Sequence, residues 1–74
     1  MDHDRIQSRP EIMMGKPVIR GTRITVEHVL QKLADGWSTD EICGAYPQVT
    51  AADVEAALRF AAEHISHQAV WAAE

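Results

Sequence analysis

Apolar residues at Val26, Val29, Leu30, Leu33 and Ala34 fall at i, i+3, i+4, i+7 and i+8, which places them on one face of an α-helix. Thr25 stands before the run and suits its N-cap, and Gly36 closes it. A second, short helix is predicted over Thr39–Ala45. Ser38 and Glu41 have capping-box spacing, Trp37 and Ile42 hold the two positions of a hydrophobic staple, and Pro47 disfavours helical geometry at Tyr46. Thr50 and Asp53 repeat the box before a third helix, with Val49 and Val54 as its staple. No Gly or Pro follows, so a helix reaching Ala72 would span about 33 Å at 1.5 Å per residue. Along it, Val54, Ala57, Leu58, Ala61 and Ile65 form one apolar stripe, while Ala56, Phe60, His67 and Trp71 form a second. One small domain rarely needs both. The second stripe, with Ile65 beside it, is therefore a candidate surface for a partner protein or for a second copy of the chain.

Ahead of Thr25 the helical period disappears. Met1 to Glu11 is polar, with Ile6 its only large apolar residue before Pro10, and reads as an extended arm with a short strand around Arg5 to Ser8. Met13-Met14-Gly15 marks a bend. Pro17 cannot donate to a ladder, so the strand after it should lie at an edge or start there. Val18-Ile19-Arg20 and Arg23-Ile24-Thr25 are β-favouring runs separated by Gly21-Thr22, which suits a hairpin with a type II′ turn. In that register Arg20 faces Arg23. Like charges opposed on a ribbon are destabilising unless an anion sits between them, which points to a phosphate or a carboxylate-bearing partner. The pattern as a whole predicts a mainly α fold, a small helix-turn-helix or winged-helix-like domain. It has a short N-terminal β-hairpin or strand arm and a long C-terminal helix. One domain covers 1–74, made of a basic arm and hairpin (1–25), a two-helix segment (26–50) and the long helix (51–74).

Length changes the picture. A chain of 74 residues buries only about 60% of its unfolded surface and is marginal alone. Its single cysteine permits no internal disulfide. A homodimer or a complex with another protein is the expected source of extra stability. No N-terminal leader pattern and no apolar run near 18 residues is visible, so the expectation is a cytoplasmic protein with no membrane association.

Charge is uneven. Met1 to Arg23 carries five basic and three acidic groups, a surplus of +2, whereas Ile24 to Glu74 carries two basic and eight acidic groups, a balance of −6. Any contact with nucleic acid or another anion then falls to Arg5, Arg9, Lys16, Arg20 and Arg23. Two helices joined by Tyr46-Pro47-Gln48-Val49-Thr50 suggest a helix-turn-helix, but its second helix would present Ala51, Ala52, Asp53, Glu55 and Arg59. Base readers favour Arg, Lys, Asn and Gln, so this helix makes a poor reading surface. His64 and His67 near Glu63 are too few for a metal site on spacing alone. Cys43 reads as a small core residue. No nucleophile-base motif, P-loop or dinucleotide fingerprint is present, so neither catalysis nor a cofactor is expected.

The segments Gly15-Lys16-Pro17-Val18-Ile19-Arg20-Gly21-Thr22-Arg23-Ile24-Thr25-Val26, Leu33-Ala34-Asp35-Gly36, Glu41-Ile42, Tyr46-Pro47 and Asp53-Val54-Glu55-Ala56-Ala57-Leu58 together resemble the domain-of-unknown-function 433 family over about Ile6 to Ala62. The resemblance implies a winged-helix-related domain similar to VapB-type antitoxins, encoded beside a PIN-like toxin, a metal-dependent ribonuclease. The implied role is to neutralise that toxin and, as a dimer or complex, to bind its own promoter DNA. Neutralisation would follow from inserting Lys16, Arg20 or Arg23 into the acidic metal site, or from packing Phe60, Ile65 and Trp71 on the toxin to block RNA. The alternatives are a freestanding DNA-binding regulator with no toxin, and a structural interaction module that does neither.

Overall fold

The computed structural model describes residues 4–66. Strand β1 (Ile6–Gln7) is followed by a single 3₁₀ turn, Met13–Gly15, and by strand β2 (Val18–Ile19). Helices α1 (Val26–Ala34), α2 (Thr39–Ala45) and α3 (Ala51–Ser66) follow. The fold is therefore mostly helical, with one two-stranded antiparallel sheet. The residues predicted beyond Ser66, His67 and Trp71 among them, lie outside the described part.

Each helix starts where its local chemistry directs. The Thr25 hydroxyl accepts from the His28 amide at 2.9 Å and caps α1. At α2 both halves of the capping box form. The Ser38 hydroxyl takes the Glu41 amide at 3.1 Å, and the Glu41 carboxylate takes the Ser38 amide at 2.7 Å. The Thr50–Asp53 box at α3 forms likewise, at 3.2 and 3.0 Å. Gly36, at φ +98, ends α1 in the left-handed conformation that a helix stop favours.

The β region departs from the predicted hairpin. Val18 and Thr25 do bridge in the expected register, but β2 takes β1 as its ladder partner, with Ile6 opposite Ile19 and Gln7 opposite Val18. The Arg20 amide extends this pairing to the Arg5 carbonyl at 2.8 Å. Between Val18 and Thr25 the turn is not type II′. The Thr22 amide closes on the Ile19 carbonyl at 3.0 Å, so Gly21, at φ +82, occupies the third turn position, where a type II turn needs positive φ. The cause is Thr22. Its hydroxyl donates to the Ile19 carbonyl at 2.8 Å and accepts from the Ile24 amide at 2.9 Å, replacing the last rungs of the ladder. Arg20 and Arg23 are thereby freed from facing each other. Pro17 precedes β2, so its missing N–H costs the ladder nothing, and its carbonyl accepts from the Val26 amide at 2.9 Å.

The core gathers one face from every element: Ile6 and Ile19 from the sheet, Val26 and Val29 from α1, Ile42 from α2, and Val49, Val54 and Ala57 at α3. Trp37 and Cys43 are partly buried against it. The expected stripe on α3 is rotated. Val54 and Ala57 are core, but Leu58 is 47% exposed, whereas Ala56 and Phe60, assigned to the second stripe, pack on the core. Both α1 and α2 lie against α3, and β1 contacts it as well. With α3 covered from three sides, its buried face centres on Val54 and Ala57 and extends to Ala56 and Phe60.

Candidate functional site

Two surfaces stand out, on different parts of the molecule. The first is an apolar groove of about 340 Å³ between α1 and α3, lined by Pro17, Val26, Leu30, Phe60, Ala61 and Ile65. Helical spacing builds its walls: Val26 and Leu30 are one turn apart on α1, and on α3 Ala61 and Ile65 are one turn apart, as are Phe60 and His64. Phe60 has its inner edge on the core and its outer edge in the groove, while Ile65 is 56% exposed. His64 packs tilted against Phe60 with ring centroids 4.1 Å apart, and its Nδ1 donates to the Phe60 carbonyl at 3.1 Å. Lys16 and Glu27, paired at 3.1 Å, form a polar rim on the α1 side. Such a groove offers shape and apolar area, the currency of protein recognition.

The second is an open cleft of about 600 Å³ built from four chain segments: Gln7 on β1, Arg9 and Ile12 after it, the turn from Gly21 to Ile24, and Gln48 between α2 and α3. It holds two guanidinium groups, two amides and a hydroxyl over an apolar floor of Ile12 and Ile24.

The five basic residues singled out from the sequence do not form one patch. Arg5 Nη1 binds Asp53 Oδ1 at 3.1 Å. Lys16 pairs with Glu27 at 3.1 Å at the groove, and Arg20 Nε donates to the Asp4 carbonyl. Only Arg9 and Arg23 share the cleft. Arg9 approaches Glu11 at 3.6 Å, with both side chains mostly exposed, and Arg23 has no ion-pair partner among the described residues. Of the four apolar-face candidates, Phe60 and Ile65 line the groove, and His67 and Trp71 lie outside the described residues. Among the described residues no group of three or more His, Cys, Asp or Glu is arranged to hold a metal ion, and no helix is long and apolar enough to cross a membrane.

Sequence reasoning missed three residues. Gln7 and Gln48 are ordinary polar residues in a strand and a loop, and only the tertiary fold brings them to one cleft. Asp53 was expected on the exposed start of a helix but is 6% exposed, its carboxylate divided between the Thr50 amide and Arg5. The box spacing revealed the first of these bonds. Nothing local signals the second, which links residues 48 positions apart.

Comparison with known proteins agrees with this architecture. Over 56 residues the chain is 36% identical to the uncharacterized protein y4eO of Sinorhizobium fredii (strain NBRC 101917 / NGR234), covering 76% of this chain and 25% of that protein. The chain thus spans about a quarter of the length of that relative. The crystal structure of a DUF433 member protein from Anabaena variabilis ATCC 29413 superimposes with a TM-score of 0.79 at 30% identity, over 85% of this chain and 62% of that one. Residues 6–61, which hold both strands, α1, α2 and most of α3, match the family described as protein of unknown function (DUF433). The chain belongs to the DUF433 family.

Proposed function

We propose that this protein works by binding, as the antitoxin of a type II toxin–antitoxin pair, and that the groove between α1 and α3 seats a segment of a PIN-like ribonuclease toxin. The observation that carries this reading is the groove itself. Leu30 and Ile65 line it beside Phe60, and Ile65 keeps 56% of its surface exposed with no other described segment over it. An aliphatic or aromatic side chain of the partner would fill it, and the paired Lys16 and Glu27 at the rim would orient polar groups around it. Of the basic residues considered for insertion into the toxin's metal site, Lys16 and Arg20 already have acceptors, which leaves Arg23 for that route, while the groove supports steric obstruction.

The α2–turn–α3 unit can be read as a helix-turn-helix, but the first turn of α3 supports protein contact over base reading. It exposes Ala51, Ala52 and Glu55, while Asp53 is buried. The test is co-expression with the product of the adjacent reading frame, followed by copurification and a ribonuclease assay. Ile65→Glu, at a mostly exposed position, should leave the helical circular dichroism intact and abolish the complex. Leu58→Glu, exposed elsewhere on α3, should leave both the circular dichroism and the complex intact. Wild-type complex formation by Ile65→Glu would end the groove reading.

A further inference from the structure

We infer that the cleft formed by Gln7, Arg9, Thr22, Arg23 and Gln48 is a binding site for a phosphate group, separate from the apolar groove and independent of any toxin. The chain carries a net charge of −4, yet among the described residues no acidic one lines this cleft, and two arginines do. In the described structure Arg5 is held by Asp53 and Arg20 by a carbonyl, while Arg59 and Arg9 each make only an exposed pair, with Glu55 at 3.8 Å and Glu11 at 3.6 Å. Arg23 has no ion-pair partner among the described residues. Arg9 and Arg23 line the same concavity, where one anion can meet both. Phosphate matches their fork geometry with two parallel hydrogen bonds.

The backbone prepares the same chemistry. The Thr22 hydroxyl, bonded to the Ile19 carbonyl and the Ile24 amide, fixes the backbone on both sides of Arg23. Among the described residues no backbone acceptor takes the amide of Gly21 or of Arg23. Gly21 is left-handed and bare on its open side, so an oxyanion can approach these amides closely. Gln7 and Gln48 add neutral donors from two further segments. Among the described residues the cleft has no aromatic side chain on which a base could stack, which favours recognition of the phosphate over the base. The phosphate could belong to a small phosphorylated molecule or to a nucleic-acid backbone.

The experiment is a ¹H–¹⁵N NMR titration of the full chain with inorganic phosphate, and separately with a short DNA duplex, with chloride holding ionic strength constant. Phosphate is expected to shift the Gly21, Thr22 and Arg23 amides and the side-chain amides of Gln7 and Gln48 together. Arg23→Gln should weaken that binding by about tenfold, while Arg59→Gln leaves it unchanged. Shifts of the same residues by the duplex, steeply weakened by salt, identify the nucleic-acid backbone as the source; shifts by phosphate alone identify a small ligand. The inference fails if neither probe moves these resonances beyond the chloride control, if the shifts spread equally to Arg59 and Lys32, or if Arg23→Gln binds like the wild type. Ile65→Glu should titrate normally, which keeps this result separate from that of the groove.

Discussion

Replacing Asp53 with alanine removes two bonds from a carboxylate that is 6% exposed. Its Oδ2 caps α3 by accepting the Thr50 amide at 3.0 Å, and loss of such a cap costs about 1 kcal/mol. Its Oδ1 receives Arg5 at 3.1 Å; the Arg5 side chain is 52% exposed, so solvent screens this contact to about 0.5–1 kcal/mol. Asp53→Ala should therefore destabilise the fold by about 1.5–2 kcal/mol. A chain of this length holds roughly 4–11 kcal/mol in total at 0.05–0.15 kcal/mol per residue, so the loss is a large share. Asp53→Asn keeps an acceptor for the Thr50 amide and loses mainly the charge, so it should cost about half as much. Urea unfolding followed by far-ultraviolet circular dichroism measures both. A double-mutant cycle of Arg5→Gln with Asp53→Asn should return a coupling of about 0.5–1 kcal/mol that shrinks in high salt. Asp53→Ala within about 0.5 kcal/mol of the wild type, or a coupling of zero, would refute the claim that this carboxylate fastens the N-terminal arm to α3.

Gly21→Ala meets no steric obstacle, because a Cβ there points into open space, but φ +82 is strained for alanine; a loss of about 1 kcal/mol is expected, read as a lower urea midpoint with an unchanged slope. Ser38→Ala breaks the capping box of the seven-residue α2 and should cost about 1 kcal/mol, with amide exchange speeding up first in that helix. Ile42→Ala, at a fully buried core position, should cost about 2–5 kcal/mol, whereas Leu58→Ala, nearly half exposed, should cost less than about 1 kcal/mol. The reverse order would mean that the core-facing side of α3 has been misplaced.

What the sequence alone determined is what depends on neighbours four residues away or fewer. The α2 bounds, Thr39–Ala45, and the starts of α1 and α3 follow from Thr25, Ser38 and Thr50. A cap is a bond between a side chain and an amide two or three positions on, and no distant residue competes for it. Only the tertiary structure decided the partner of β2. Val18 and Ile19 had two candidate edges, and the choice between them rested on the Thr22 hydroxyl closing the turn and on Ile6 having Ile19 to bury against. It also decided which side of α3 faces inward. Alanine and larger apolar residues lie on more than half of that helix, so periodicity left the angle open until α1, α2 and β1 closed around Val54 and Ala57. The two surfaces divide in the same way. Phe60 and Ile65 were visible as apolar residues at helical spacing, but the groove they line needed Pro17 and Leu30 from elsewhere in the chain. The cleft drew Gln7, Arg23 and Gln48 from three separated segments, and their meeting is set by long-range packing, which no local pattern encodes.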